Sequence, residues 1–310
     1  MQHDLVPNAI AWEQRGILAQ DRGHHAEAAS HFRQALALSD RALSWLGLAL
    51  SQIELKHDDD AVCSLRRARS LAPQSGVVGH LLAALTGQAP LRAPDSFVKW
   101  LFNSRAGSFD THLTRLGYRG PQMLHDLIAL HWTPEAMLDI LDLGCGTGLS
   151  GIPFRPYAAR LDGVDLTPNM LVQASRRGIY DNLECNELHA DLRNRPANGY
   201  DAVLAADTLI YVGDLQDLFA LVARALKPGG SFLFTVETGT EGSAYTLTSA
   251  GRYSHADDYL RDCAADLFEV GNNADGMIRV ENGSFAEGRA YRFVKRGLSA
   301  PSVRGEAVPY

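Results

Sequence analysis

The sequence predicts an α/β protein: a doubly wound, Rossmann-like sheet preceded by a small all-α repeat domain. Three observations carry this. Five positions within the first 40 residues are matched 33 positions later. From Phe97 onward, apolar strand-like runs alternate with helical spacing. One of those runs ends in the glycine-rich turn Asp142-Leu143-Gly144-Cys145-Gly146-Thr147-Gly148, where such a sheet opens a ligand crevice.

The repeat comes first in the chain. Trp12, Ala28, Phe32, Ala35 and Asp40 are matched by Trp45, Ala61, Leu65, Ala68 and Pro73. Small residues such as Ala28 let two antiparallel helices approach closely, and Trp12 and Phe32 fill the groove between them. Gly23 and His24 fall where the helical hairpin turns. The apolar stretch from Val77, VVGHLLAALTG, is expected to add a third helix that covers the end of the stack. Prolines at 90 and 94 break any helix through GQAPLRAP, residues 87–94, which sets the expected boundaries at 1–90, 91–296 and a loose tail, 297–310. The spacing of the aromatic, small and Ala-x-x-x-Phe/Leu-x-x-Ala positions resembles the tetratricopeptide repeat, whose unit is about 34 residues.

Composition excludes several classes of function. The 310 residues are 46% apolar and 21% charged, an ordinary globular mixture. A formal net charge of −7 with no long Lys/Arg run argues against nucleic acid as a partner. Cys63, Cys145, Cys185 and Cys263 are scattered, with no paired spacing, so neither a metal site nor a disulfide framework is expected. No stretch approaches the ~20 apolar residues of a membrane span, and no signal-peptide core is present, so a cytoplasmic protein is expected.

In the second domain, strands are expected at MLDILDL, RLDGVDL, NLECNEL running into HADL, YDAVLAAD, SFLFTVE and AYRFVK, with helices at Pro168–Arg177, Asp214–Leu226 and His255–Leu267. Glycines at alternate positions let backbone approach a ligand, and a short helix expected after Gly148 would offer N–H groups to an anion. Asp165 is expected to end the second strand, where a carboxylate can accept the hydroxyls of a ribose. Met170 is expected to start the next helix, and Asp191 to end the third strand.

The segments D-L-G-C-G-T-G, G-V-D-L-T-P-N-M-L, H-A-D-L, Y-D-A-V-L-A-A-D and L-K-P-G-G, in this order from about Leu138 to Glu237, resemble the class I S-adenosylmethionine-dependent methyltransferases. The resemblance implies S-adenosyl-L-methionine as cofactor and S-adenosyl-L-homocysteine as product. It implies Gly144, Gly146 and Gly148, with Cys145, at the methionine end. Asp165 would hold the ribose, Met170, Asp191 and Leu192 would surround the adenine, and Leu166 would be a further cofactor contact. Asp207 would face the reaction crevice, and Asp142 would support the loop from below. A nicotinamide enzyme competes weakly, because its G-x-G-x-x-G/A fingerprint needs a small residue where this chain has Leu149. Both flanks of the core are similar to predicted methyltransferases that carry N-terminal tetratricopeptide repeats.

Candidates for the reacting group flank the core. Asp110, His112 and Tyr118 precede it, in the segment class I enzymes commonly close over the cofactor. Tyr211 follows the fourth strand, and Glu237 ends the fifth. Arg252, Tyr253 and His255 cluster before a helix, a stretch that reads equally well as an N-cap region with Ser254 as the cap. Arg252 and Tyr253, with Asp110, Tyr118 and Tyr211, are expected to contact substrate, Arg252 by pairing with an acidic group. His255, Glu237 or His112 is expected to take a proton where the acceptor is a hydroxyl; a neutral amine needs no base. No N-P-P-Y-like element follows the fourth strand, which counts against DNA bases as substrate. The function expected is methyl transfer to an O or N atom of a small-molecule acceptor, an acidic metabolite or biosynthetic intermediate being a candidate, with the repeats docking a protein partner or a second copy. The alternative is a non-catalytic scaffold on the same fold.

Overall fold

A computed structural model describes residues 5–239, 242–281 and 284–297, and the chain divides into two units. The helical unit comprises Met1–Leu101 together with Tyr245–Ser254, and the α/β unit comprises Phe102–Ala244 and His255–Tyr310. The tail expected from residue 297 lies, beyond its first residue, outside the described residues.

The helical unit is built from α1 (Leu5–Asp21), α2 (His25–Leu38), α3 (Ala42–Glu54), α4 (Asp58–Leu71) and α5 (Gly76–Leu85); α6 (Asp95–Asn103) contains the division between units. Six of the ten matched positions are its buried contact positions. Ala28, Ala35, Ala61 and Ala68 are completely buried, as are Phe32 and Leu65. The Phe32 ring stands where a β-carbon on Gly47 would be, at 2.3 Å, so α3 reaches it only with glycine there. Gly23 turns α1 into α2 with φ of 75°. Glu13, buried on α1, accepts hydrogen bonds from Arg41 and Ser44 and so ties the first helix to the third.

The stretch 87–94 does not separate two domains. The carbonyl of Pro90 accepts a 2.8 Å hydrogen bond from the hydroxyl of Tyr253, a fully buried side chain. His80 of α5 places Nε2 3.0 Å from the carbonyl oxygen of Gly251, and its ring lies 4.3 Å from that of Phe97. Burial lowers the His80 pKa, so the imidazole is neutral and Nε2 carries the proton it donates. The hairpin Tyr245–Ser254 thus belongs to the core of the helical unit, and the expected boundary moves from residue 90 to Leu101.

The α/β unit opens with the short helices α7 (Phe109–Arg115) and α8 (Gly120–Asp126). The strands and helices that follow are β1 (Leu138–Leu143), β2 (Ala158–Asp165), α9 (Pro168–Arg177), β3 (Asn182–Cys185), α10 (Leu188–Asn194), β4 (Tyr200–Ala205), α11 (Gln216–Ala225) and β5 (Leu226–Thr238). The hairpin strands β6 (Tyr245–Leu247) and β7 (Tyr253–His255) come next, then α12 (Asp257–Ala264), β8 (Phe268–Glu281) and β9 (Ser284–Lys295). Strands β3, β2, β1, β4 and β5 run parallel in that spatial order; β9 lies antiparallel to β5, and β8 antiparallel to β9. Each strand feeds two cores by simple alternation. Leu141, Leu143, Val203, Phe232 and Phe234 face one helical layer, while Ile140, Ala202, Leu204 and Leu233 face the other. Strand order reverses between β1 and β4, and the crevice of such a sheet opens at the carboxyl ends of those strands.

Two expectations are corrected and one strand is added. No helix follows the glycine turn: residues 149–157 form turns and a short 3-10 segment, because Pro153 and Pro156 lack the N–H groups a helix would use. The third strand stops at Cys185, and HADL lies on α10. The last sheet hairpin contains a long strand, β8, that the sequence did not announce.

Deleting residues 1–90 removes the groups that hold Tyr253 and Gly251. The truncated chain is expected to lose stability by at least about 2–3 kcal/mol, from an orphaned buried hydroxyl and an uncovered aromatic ring. Thermal and urea denaturation of the truncated and full-length chains check this; equal stability would show that the hairpin does not need the helices.

Candidate functional site

The glycine loop is fixed by the strand beside it. The N–H groups of Gly144 and Cys145 both donate to the carbonyl of Val164 in β2, at 2.8 and 3.0 Å. Gly144, Gly146 and Gly148 take φ values of 68°, 54° and 90°, a region open to glycine without cost. Their surroundings differ. A β-carbon on Gly144 would lie 2.5 Å from Thr208, whose hydroxyl donates to the carbonyl of Leu143, whereas one on Gly146 would meet nothing within 4 Å. Gly146 therefore faces open space.

Asp165 closes the loop from the end of β2. It accepts from the Gly146 N–H at 2.9 Å through one oxygen, and from the N–H and hydroxyl of Thr167 through the other. Burial raises its pKa and the Thr167 hydrogen bonds oppose that rise. Leu166 is half-buried beside it, and Met170 is buried on the first turn of α9. Cys145 is buried, its thiol pushed well above the usual range by burial, so it offers the loop its backbone.

Asp142 lies beneath the loop with no exposure. One oxygen accepts from the hydroxyls of Ser150 at 2.6 Å and Tyr180 at 2.7 Å; the other has no partner among the described residues. Burial, opposed by those two hydrogen bonds, pushes its carboxyl up to about 6. Asp110 of α7 accepts from the Thr147 hydroxyl at 2.6 Å and from Arg177, whose Nε also donates to the Thr147 carbonyl at 2.6 Å. Asp110 is thus bonded to the loop rather than set out toward a substrate. His112, on the same helix, is exposed.

At the ends of β4 and β5 stands a buried ionic cluster. Arg279 of β8 donates to both oxygens of Asp207, at 3.1 and 2.9 Å, and to Glu237. Asp207 has φ of 56°, the left-handed region that costs most side chains about 1–2 kcal/mol, and its N–H donates to the Thr235 hydroxyl at 2.8 Å. Tyr118 lies near this cluster: burial and the Asp207 carboxylate push its phenol well above the usual value, so it stays protonated. Tyr211 packs edge-on against Phe102, centroids 5.5 Å apart.

Five sequence-predicted residues take other places. Asp191 is buried on α10 in a two-pronged ion pair with Arg195, at 2.9 and 2.8 Å, and Leu192 beside it is fully buried in the core; neither ends a strand. Tyr253 is buried against Pro90 in the helical unit. His255 is buried with Nε2 at 2.9 and 3.1 Å from the carbonyl oxygens of Val212 and Gly213, which makes Nε2 the protonated nitrogen. Burial takes its pKa down to about 4, so it cannot exchange a proton near neutrality. Arg252 sits in the hairpin of the helical unit, and its carbonyl accepts from the N–H and hydroxyl of Thr248. Arg279, Arg177 and Thr208 escaped the sequence reading. For Arg279 the signal was a lone arginine between Ile278 and Val280; a bulge at Ile278 lets both it and Arg279 be buried.

Residues 140–230 match the family model described as Methyltransferase domain. Methyltransferase-like protein 27 of Homo sapiens is 34% identical over 156 residues, 49% of this chain and 63% of that protein. A ubiquinone biosynthesis O-methyltransferase of Coxiella burnetii is 26% identical over 116 residues, 36% of this chain and 49% of that enzyme. The chain thus spans less than two thirds of the length of these relatives. Among solved structures, the 1,6-didemethyltoxoflavin-N1-methyltransferase of Burkholderia thailandensis, with bound 1,6-didemethyltoxoflavin and S-adenosylhomocysteine, superposes with a TM-score of 0.51 at 18% identity. The alignment covers 68% of this chain and 93% of that one. The [4+2]-cyclase SpnF gives 0.53 at 16% identity, covering 67% and 98%. The α/β unit has the fold of these solved structures, and residues 140–230 within it carry the match to the methyltransferase-domain model.

Two variants test these placements. Arg279→Met leaves two carboxylates without that partner and is expected to cost ~3–5 kcal/mol in urea denaturation. His255→Ala is expected to cost about 1–3 kcal/mol by depriving two carbonyls of a donor. The wild-type His255 resists protonation when folded, so its contribution to stability is full above about pH 6.5 and is lost as pH falls toward about 4. A stability profile for His255→Ala with the same slope as wild type between those values would refute this.

Proposed function

We propose that this protein transfers a methyl group from S-adenosyl-L-methionine to an O or N atom of a small-molecule acceptor, leaving S-adenosyl-L-homocysteine. The observation that carries the reading is the glycine loop. Its Gly146 is open to a ligand while its backbone is held rigid by Val164 and Asp165. The residues present fit the cofactor. Gly144, Gly146 and Gly148 leave room for the methionine end, and the remaining lone pairs of Asp165 can accept ribose hydroxyls. Leu166, half-buried beside Asp165, supplies apolar surface for the cofactor. Asp142, carrying negative charge above about pH 6, favours a cationic ligand over the loop. The bound cofactor supplies a methyl group on a sulfonium, already a good leaving group, so the protein's task is alignment, worth ~7–11 kcal/mol.

The acceptor side of the reading rests on Asp207, Glu237, Tyr118 and Tyr211. Glu237 is the candidate proton acceptor now that His255 is held as a neutral donor; Tyr118, kept protonated, can donate to an acceptor oxygen. The helical unit we read as tetratricopeptide-like, supported by the 33-residue period whose matched Ala28, Phe32, Ala35, Ala61, Leu65 and Ala68 are buried, and as a docking module for a partner protein. The four free cysteines suit a cytoplasmic setting. Among the described residues no helix is long and apolar enough to cross a membrane.

Calorimetric titration with S-adenosyl-L-methionine tests the reading, and no binding at about millimolar cofactor would favour a scaffold. Gly146→Val is expected to abolish binding while costing the fold only about 1–2 kcal/mol. Gly144→Ala, by contrast, is expected to destabilise the fold, because Thr208 occupies the space. Cofactor affinity is expected to weaken as pH falls through about 6, where Asp142 gains a proton. Asp142→Asn should weaken binding by about tenfold at neutral pH, 1.4 kcal/mol, and flatten that dependence. Normal binding by Gly146→Val would remove the loop from consideration as the cradle.

A further inference from the structure

Arg66 and Arg69 stand three residues apart on one face of α4, both exposed. Neither has an ion-pair or hydrogen-bond partner among the described residues, although Arg67 between them pairs with Asp40 and Arg41 pairs with Glu13. The two unpaired guanidiniums border a groove of about 340 Å³ between α4 and α5, completed by Leu82, Ala83, Thr86 and Gln88. Leu82 and Ala83 are buried and form an apolar floor. The Thr86 hydroxyl donates to the Leu82 carbonyl at 2.7 Å, so its hydrogen is already engaged. Arg69 lies in the last turn of α4, where a cation also offsets the helix dipole; Arg66, farther in, gains little from that.

We propose that this groove binds an acidic segment of a partner protein. The proposal rests on the reading of the helical unit as a docking module and is independent of the chemistry at the glycine loop. The rim carries an excess of donors: each guanidinium has five N–H groups and no acceptor, and its planar fork matches a carboxylate. Arginines three apart on a helix have β-carbons about 5–6 Å apart. In an extended peptide, residues two apart are separated by about 6.6 Å and point to the same side. Acidic residues at alternate positions therefore reach both arginines, their methylene groups lying over Leu82 and Ala83. The Gln88 amide can serve the peptide backbone. A small anion matches the charges but leaves the apolar floor and most of the groove unused. The net charge of −7 opposes an acidic ligand only at long range, where it is screened beyond about 8 Å at physiological salt.

The test uses the full chain and a labelled, end-capped octapeptide of alternating Glu and Ala, with the Gln/Ala peptide as control. Fluorescence anisotropy is expected to show saturable binding of the Glu peptide that weakens as salt rises from about 50 to about 500 mM, and none of the Gln peptide. Arg66→Glu and Arg69→Glu should each weaken binding by about tenfold or more, with melting temperature and S-adenosyl-L-methionine titration unchanged. Equal binding of the Gln peptide overturns the acidic assignment and leaves the docking reading standing. Failure of both peptides to bind up to about millimolar overturns the proposal and removes this groove from the docking reading. Complete displacement of the Glu peptide by equimolar inorganic phosphate makes it a small-anion site and overturns the proposal. So does self-association, seen by sedimentation, that the Arg variants abolish.

Discussion

The α/β unit depends on one carboxylate at the end of β2. Asp165 binds the Gly146 N–H with one oxygen and Thr167 with the other, and so joins the loop after β1 to the start of α9. Three glycines at the alternate positions 144, 146 and 148, all in left-handed conformations, would otherwise be a flexible segment, since glycine loses the most entropy on ordering. The charge-assisted bond to Gly146 and the paired bonds to Val164 fix it without placing any side chain in the open space beside Gly146. A rigid cradle with an empty face is what ligand binding needs, because little ordering is left to be done when the ligand arrives.

Burial at the carboxyl ends of the strands then gives each acid a different character. Asp142 has only two hydroxyls as donors and holds its proton up to about pH 6. Asp207 and Glu237 lie beside a guanidinium that answers their charge directly. The strained backbone of Asp207 is maintained by that fork and by Thr235, so the geometry of this cluster is set by β8, at the far edge of the sheet. Asp110, Thr147 and Arg177 add a further bond between the segment before β1 and the glycine loop, which makes α7 part of the loop's support.

The helical unit draws its core from two distant parts of the chain. Its repeat positions explain α1 to α4, yet α5 and the residues up to Phe97 are completed by the hairpin inserted after β5. The ten residues Tyr245–Ser254, which follow β5 in the chain, are therefore part of the helical unit itself.

The sequence by itself determined the repeat, the alternation that builds β1, β2, β4 and β5, and the glycine loop with Asp165 after it. These are local patterns: a period of 33, a period of two, and a backbone conformation that only glycine adopts cheaply. It misplaced Asp191, because a short strand followed at once by a helix leaves no periodic signal, and Arg195 four residues on was already its partner. It cast His255 as a base and Tyr253 as a substrate contact because loop residues before a helix often serve so, but carbonyls of Val212, Gly213 and Pro90 claim them. Arg279 emerged only from tertiary structure: a bulge in β8 turns it inward, and carboxylates 72 and 42 residues away meet it. Pairings over such separations are chosen by the burial of charge, which has no period to read along a chain.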